Sequence, residues 1–227
     1  MKSLEDIDAY LIKNNKFEFI SFDQVLYDKS NKLYQNRVLQ YAIKPSDLSK
    51  GFIYLSPILC SGIKNFKLFI VLSLNGRIKF NNWPLFFRFR RNSLFKKHYK
   101  GSNWWGFNLQ TTLKILKYIE LNKRALYKYY KYTSSADEQF FHTILKELML
   151  VDSTINVKPS VHFIDWERKG ADLPVTFTTT DFNLLCRQPK NFLFARKFDL
   201  ELDEEVLNLI DTTILERDKN VTIHKEV

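Results

Sequence analysis

The chain has 227 residues and a mass of 27.1 kDa, with 35 Lys and Arg against 25 Asp and Glu, which gives a formal charge of +10 and a pI near 9.4. Hydrophobic residues make up 45% and Gly and Pro only 6 each, which excludes a disordered, collagen-like or low-complexity chain and leaves a folded globular one. Cys60 and Cys186 stand far apart without a C-x-x-C or Cys/His cluster, against a disulfide scaffold or a structural zinc site and in favour of a reducing compartment.

The longest uncharged stretch, residues 51–63, is about half of the ~20 residues that a membrane-spanning helix needs, and no apolar run or cleavage site follows Lys2. Neither a transmembrane segment nor a signal peptide is expected, so the location predicted is cytoplasmic. The basic balance fits a nucleic-acid backbone, an anionic membrane surface or a small phosphorylated ligand. The 35 aromatic residues suit a packed core and equally a site that stacks sugars or bases.

Ser3, followed by Glu5 and Asp6, reads as the N-cap of a helix over 4–13, with Ile7, Tyr10 and Leu11 at helical spacing. Residues 16–50 show no sustained period and read as loops with one short strand. Two apolar runs follow, 51–63 and 66–74, the second ending at Asn75-Gly76, and at least one is expected to be a buried strand. The sets Leu113, Leu116, Ile119, Leu126, Tyr130 and Phe140, Phe141, Ile144, Leu145, Leu148 predict two helices separated by Thr133-Ser134-Ser135. Residues 161–166 and 193–198 read as strands, with a short helix over 181–187 capped by Thr178 or Thr180. Val206, Leu207 and Ile210 mark a closing amphipathic helix before a charged tail, 216–227.

The densest charge lies where Arg88, Arg90, Arg91, Lys96, Lys97 and Lys100 interleave with Phe86, Phe87, Phe89, Phe95 and Tyr99. Cations among aromatics hold single-stranded nucleic acid, a nucleoside diphosphate or an anionic membrane, and also make an ordinary solvated face. Asp6-Ile7-Asp8 matches a D-x-D metal-binding pattern, but its place in the first turn of a helix is accounted for by the helix dipole. Ser135-Ala136-Asp137-Glu138 has the spacing of a capping box, and a carboxylate there also suits a general base. Arg196 and Lys197 are adjacent cations at the end of a strand, where at most one points into a given cleft unless the strand stops. His142 and His162 have no neighbouring ligand in sequence and read as packed or hydrogen-bonded side chains.

Three blocks taken together resemble the family of core-2/I-branching β-1,6-N-acetylglucosaminyltransferases and peptide O-xylosyltransferases. They are Gly101-Ser102-Asn103-Trp104-Trp105, the stretch from Ser135-Ala136-Asp137-Glu138 to Thr143, and Leu193-Phe194-Ala195-Arg196-Lys197-Phe198-Asp199. Asp165-Trp166 and Thr180-Asp181-Phe182 fall between them, so the likeness covers about residues 98–210. The resemblance implies an α/β, GT-A-like fold, incomplete at its N-terminal nucleotide-binding half. It also implies one catalytic domain over 1–215, and the Lys/Asn-rich composition suggests a bacterial-type enzyme. The implied chemistry is metal-independent, inverting transfer of GlcNAc or xylose from a UDP-sugar to a hydroxyl of a glycan or glycolipid. By the same resemblance Glu138 is the base, Arg196 and Lys197 hold the diphosphate, and Trp104 lies beside the donor sugar. Asn103 replaces an acidic residue of the xylosyltransferase branch. No cofactor is expected beyond the donor substrate, and peripheral contact with the inner membrane face is expected in preference to nucleic acid. The alternatives are a noncatalytic remnant that binds a carbohydrate or partner, and a nucleic-acid-binding protein.

Overall fold

Ser3 opens the first helix by accepting a hydrogen bond from the Asp6 N–H at 3.1 Å, which satisfies one of the amides that a helix start leaves unpaired. The computed structural model describes residues 3–27, 31–45 and 51–215. In chain order its elements are α1 (Leu4–Lys13), β1 (Phe17–Phe19), β2 (Gln24–Leu26), α2 (Lys32–Tyr34) running into a π-helical turn (Gln35–Leu39), β3 (Tyr41–Ile43), β4 (Ile53–Leu55), α3 (Ile63–Leu74), α4 (Trp83–Phe86), β5 (His98–Lys100), α5 (Leu109–Tyr130), α6 (Asp137–Val151), β6 (Asn156–Lys158), β7 (His162–Ile164), α7 (Phe182–Cys186), β8 (Phe194–Arg196) and α8 (Glu205–Thr213). Helices and strands are mixed, as an α/β reading requires, and the strands pair two by two: β1 with β6 and β7 with β8 in parallel, β2 with β5 and β3 with β4 antiparallel.

The chain divides into two compact units. One comprises residues up to Phe19, Trp104–Asn108 and residues from Asn156 onward; the other comprises Ile20–Asn103 and Leu109–Ile155. In the first unit, Ile7 and Tyr10 of α1 pack on Phe19, Val161 and Leu193 beneath the two parallel pairs. A larger cluster of Val175, Phe177, Leu185, Val206 and Ile210 joins α7 and α8. Thr178 and Asp181 form a capping box, and Arg168 pairs with Asp165 at 3.1 Å and with Asp181 at 2.8 Å. The two acidic residues between the blocks of the resemblance therefore fix backbone.

In the second unit β2 and β5 lie on α6, where Tyr99 N–H donates to Thr143 Oγ1 at 3.0 Å. The β3–β4 pair, α3 and α4 enclose Tyr41, Ile43, Leu55, Phe69, Leu72, Ile78, Leu85 and Phe86, with Phe69 and Phe86 stacked at 4.1 Å. Arg91 is buried here and donates to the carbonyls of Gln40 and Tyr129 at 2.5 and 2.8 Å and to Thr133 Oγ1 at 2.5 Å. Its guanidinium lies 4.3 Å from the Tyr129 ring centroid and 5.3 Å from that of Tyr41.

The two apolar runs divide between helix and strand, and one expectation changes. Residues 66–74 belong to helix α3 rather than a strand, because apolar side chains on every face erase the period that distinguishes the two. The first apolar run does hold a strand, β4, with Leu55 buried and Tyr54 exposed. Residues 16–50 hold three strands instead of one, each of three residues and too short to show alternation. The helices over 4–13, over residues flanking 133–135 and at 181–187 and 206–210 stand where periodicity put them. The tail 216–227 lies outside the described residues.

Gly101 shows why the first block carries glycine. A Cβ at this position would collide with the Ser21 carbonyl oxygen and stand 2.5 Å from Nε2 of the buried His142 ring, while the Gly101 N–H donates to the Glu138 carbonyl at 3.0 Å. Gly101→Ala is expected to cost about 1–3 kcal/mol of overpacking. At about 2–4 °C per kcal/mol for a chain of this size, calorimetry should record a Tm lower by several degrees. An unchanged Tm would mean that this approach is looser in solution.

Candidate functional site

Glu138 lies one residue inside α6 and does not close the expected capping box. Ser135 has a left-handed φ of 46° and the cap position falls on Ala136, with no side-chain cap bond. The Glu138 carboxylate turns instead to two cations: Oε2 accepts from Arg37 at 2.7 Å and lies 3.3 Å from Lys100 Nζ. Among the described residues no hydrogen bond reaches Oε1. Partial burial raises the Glu138 carboxyl, but the Arg37 hydrogen bond and the charges of Arg37 and Lys100 outweigh it and leave the group below its ordinary value. The outcome is an ionised, half-exposed carboxylate with one oxygen held and the other open.

Each partner has a local reason for its position. Arg37 sits in the π-helical turn, and its own carbonyl accepts from buried Arg91 at 3.3 Å. Lys100 ends β5, next to Gly101, whose close packing brings the strand end to α6. His142, one turn along α6 from Glu138, is fully buried and meets Phe22 edge-on at 5.7 Å. Burial pulls it down to about 4, so it is a neutral packing residue at pH 7. Asn103 donates from Nδ2 to the Asp137 carboxylate, which ties the loop after β5 to the first turn of α6.

Trp104, Arg196 and Lys197 belong to the other unit. The Arg196 guanidinium carbon stands 4.3 Å from the Trp104 ring centroid, and the indole remains 40% exposed. Ser160 donates to the Trp104 carbonyl at 2.5 Å, and His162 packs at 5.6 Å from the indole and 5.1 Å from Phe194. Burial and the Arg196 charge hold the His162 imidazole below its ordinary value. Strand β8 stops at Arg196, so the alternation of a strand does not extend to Lys197; the Arg196–Lys197 peptide is cis. Phe177 N–H donates to the Lys197 carbonyl at 2.9 Å. Among the described residues no carboxylate lies within ion-pair distance of Arg196 or Lys197.

Asn103 and Glu138 thus share one unit, and Trp104, Arg196 and Lys197 the other. Arg37 was not visible as a site residue, because it is 101 positions from Glu138 and no spacing or period links them. Lys100 was visible only as part of a basic run. That run separates in the fold: Phe86, Arg91 and Phe95 are buried, while Arg88, Phe89 and Arg90 are exposed. Its residues do not form one continuous stacking platform. Asp6 and Asp8 lie on α1, and among the described residues no three His, Cys, Asp or Glu side chains group as metal ligands.

Arg37→Met removes the counter-charge and leaves the burial, so the Glu138 carboxyl should titrate at higher pH. Carbon NMR of the side-chain carboxyl reads this directly, and an unchanged titration would show that Arg37 is not its partner in solution. A carboxyl lowered in the folded state contributes stability that is present above its ordinary value of 4.5 and is lost as pH falls through the folded value. The stability gap between wild type and Arg37→Met should therefore narrow between pH 7 and pH 3 in urea unfolding.

Residues 77–185 match the family model described as Core-2/I-Branching enzyme, a range that takes in two of the three blocks and both Glu138 and its partner Lys100. A β-glucuronosyltransferase of Arabidopsis thaliana is 34% identical over 94 residues, which covers 41% of this chain and 20% of that protein. Xylosyltransferase 2 of Homo sapiens and of Pan troglodytes is 32% identical over 100 residues, covering 38% of this chain and 11% of each. The matched stretches span a fifth or less of these relatives. No described helix is long and apolar enough to cross a membrane. Gly101, Glu138 and the intervening helix α5 all lie inside the stretch, just under half of the chain, that is similar to the core-2/I-branching enzyme family.

Proposed function

We propose that the chain carries out inverting, metal-independent glycosyl transfer from a UDP-sugar to a hydroxyl of a glycan acceptor, on a GT-A-like α/β framework. GlcNAc is the donor sugar proposed first and xylose the second. The observation that carries the reading is the Glu138 carboxylate, kept ionised by Arg37 and Lys100 with Oε1 open.

In this reaction Oε1 takes the proton of the acceptor hydroxyl as its oxygen forms the new bond at the anomeric carbon, and the bond from that carbon to UDP breaks on the opposite side. Inversion follows from that geometry. The negative charge gathering on the departing diphosphate is met by Arg196 and Lys197, which no carboxylate neutralises among the described residues. Arg supplies a fork of N–H donors and Lys a point charge. Trp104, with Arg196 over its ring, offers an exposed aromatic surface for the donor sugar. Asn103, bonded to Asp137, stands at the start of the base-bearing helix and is proposed to contact substrate there.

The test is UDP release from UDP-GlcNAc or UDP-xylose with a glycan acceptor in EDTA. Glu138→Gln should lower the rate by roughly 10²–10⁴ while donor binding by calorimetry is retained. Lys197→Ala and Arg196→Ala should lower the rate by about 10²–10³ and weaken UDP binding as well. Release that is unchanged in these variants would refute the assignment, and strict dependence on Mn²⁺ would refute its metal-free form. With Arg37→Met, the acidic limb of the rate profile should move to higher pH, because a base with a raised pKa is ionised only at higher pH.

A further inference from the structure

Helix α3 buries only a narrow stripe, Phe69 and Leu72, against the core of its unit. The opposite face is apolar and exposed. Ile63, Lys67, Ile70 and Leu74 recur there at i, i+4, i+7 and i+11, with Lys64 and Val71 beside them; Ile63 is 78% and Leu74 82% exposed. Beside this helix Phe87 meets Phe69 edge-on at 6.0 Å and is itself exposed. A contiguous apolar surface of this kind on a folded protein marks an interaction site.

Charge selects the partner. From residue 51 to residue 119 the sequence has 12 Lys and Arg and no Asp or Glu, more positive charge than the whole chain carries net. Apolar side chains alternating with lysines, on a helix lying along the surface, match the chemistry of a lipid bilayer with anionic headgroups. The aliphatic stems of Lys64 and Lys67 can run along the apolar surface while their ammonium groups stay at phosphate level. We propose that the outward face of α3 docks on an anionic lipid surface, with Ile63, Ile70, Val71 and Leu74 entering the headgroup–acyl boundary. The anionic-surface role considered for the 88–100 cluster is thereby proposed for α3. This inference does not rest on the glycosyl-transfer chemistry.

Sedimentation with vesicles tests it. The full chain should pellet with phosphatidylcholine vesicles containing phosphatidylglycerol and remain in the supernatant with phosphatidylcholine alone. Ile63→Glu/Leu74→Glu, at positions outside the core, should lower the partition coefficient at least about ten-fold with an unchanged circular dichroism spectrum and Tm. Lys64→Glu/Lys67→Glu should lower it by a similar factor, at about 1 kcal/mol per charge near the surface. Both double variants should release UDP from a soluble donor and acceptor at the wild-type rate, so a loss here and a loss of transfer are distinguishable. The proposal is overturned if wild type does not pellet, or if it pellets equally with neutral vesicles. It is also overturned if Ile63→Glu/Leu74→Glu still pellets like wild type, or if wild type forms a dimer that this variant abolishes.

Discussion

A buried guanidinium organises the unit that holds Glu138. Arg91 places its donors on the carbonyls of Arg37, Gln40 and Tyr129 and on the Thr133 hydroxyl, so it ties together the end of the π-helical turn, the end of α5 and the turn that leads into α6. A charge taken out of water is tolerated only when such bonds and the two flanking tyrosine rings replace its hydration. The backbone that Arg91 fixes at Arg37 is the one from which the Arg37 side chain reaches the Glu138 carboxylate. One arginine is spent on scaffold so that another can stand at the site.

The two candidate clusters hold charge in opposite ways. Glu138 is an anion whose charge is balanced by two cations on one oxygen. Arg196 meets an aromatic face, which attracts a cation without cancelling it. The first arrangement stabilises a carboxylate in its basic form, and the second leaves positive charge available for an incoming anion. The exposed face of α3 adds a third pattern, in which charge and apolar surface alternate along one helix.

What was legible in the sequence was what is decided locally. The N-cap at Ser3, the long periodic helices α5 and α6 and the box at Thr178 and Asp181 each depend on residues within a few positions. Helix α3 was not legible as a helix, because apolar residues all round it match a buried strand equally well. The S-x-x-E spacing at Ser135 predicted a cap by local logic, and a cation 101 residues away captured the glutamate instead. The basic aromatic run likewise looked uniform until long-range packing buried Arg91, Phe86 and Phe95 and left their neighbours outside. The glycine of the first block was recognisable as a motif, but its reason, the approach of Ser21 and His142, is a tertiary one.

Asn103 and Trp104 are neighbours in sequence and belong to different units, and the chain passes between the units four times. The short excursion Trp104–Asn108 is anchored by reciprocal bonds between Phe19 and Gly106, both at 2.9 Å, and by buried Glu18, which accepts from the Asn108 N–H at 2.8 Å. Strand β1 pairs with β6, whose residues follow it by 139 positions. On a ribosome strand β1 is therefore made long before its ladder partner exists, and Phe17–Phe19 cannot complete that ladder until Lys158 has emerged. Neither unit is a single stretch of chain, so no one cut releases either intact, and the Arg196 unit cannot close until residues beyond 156 have been made.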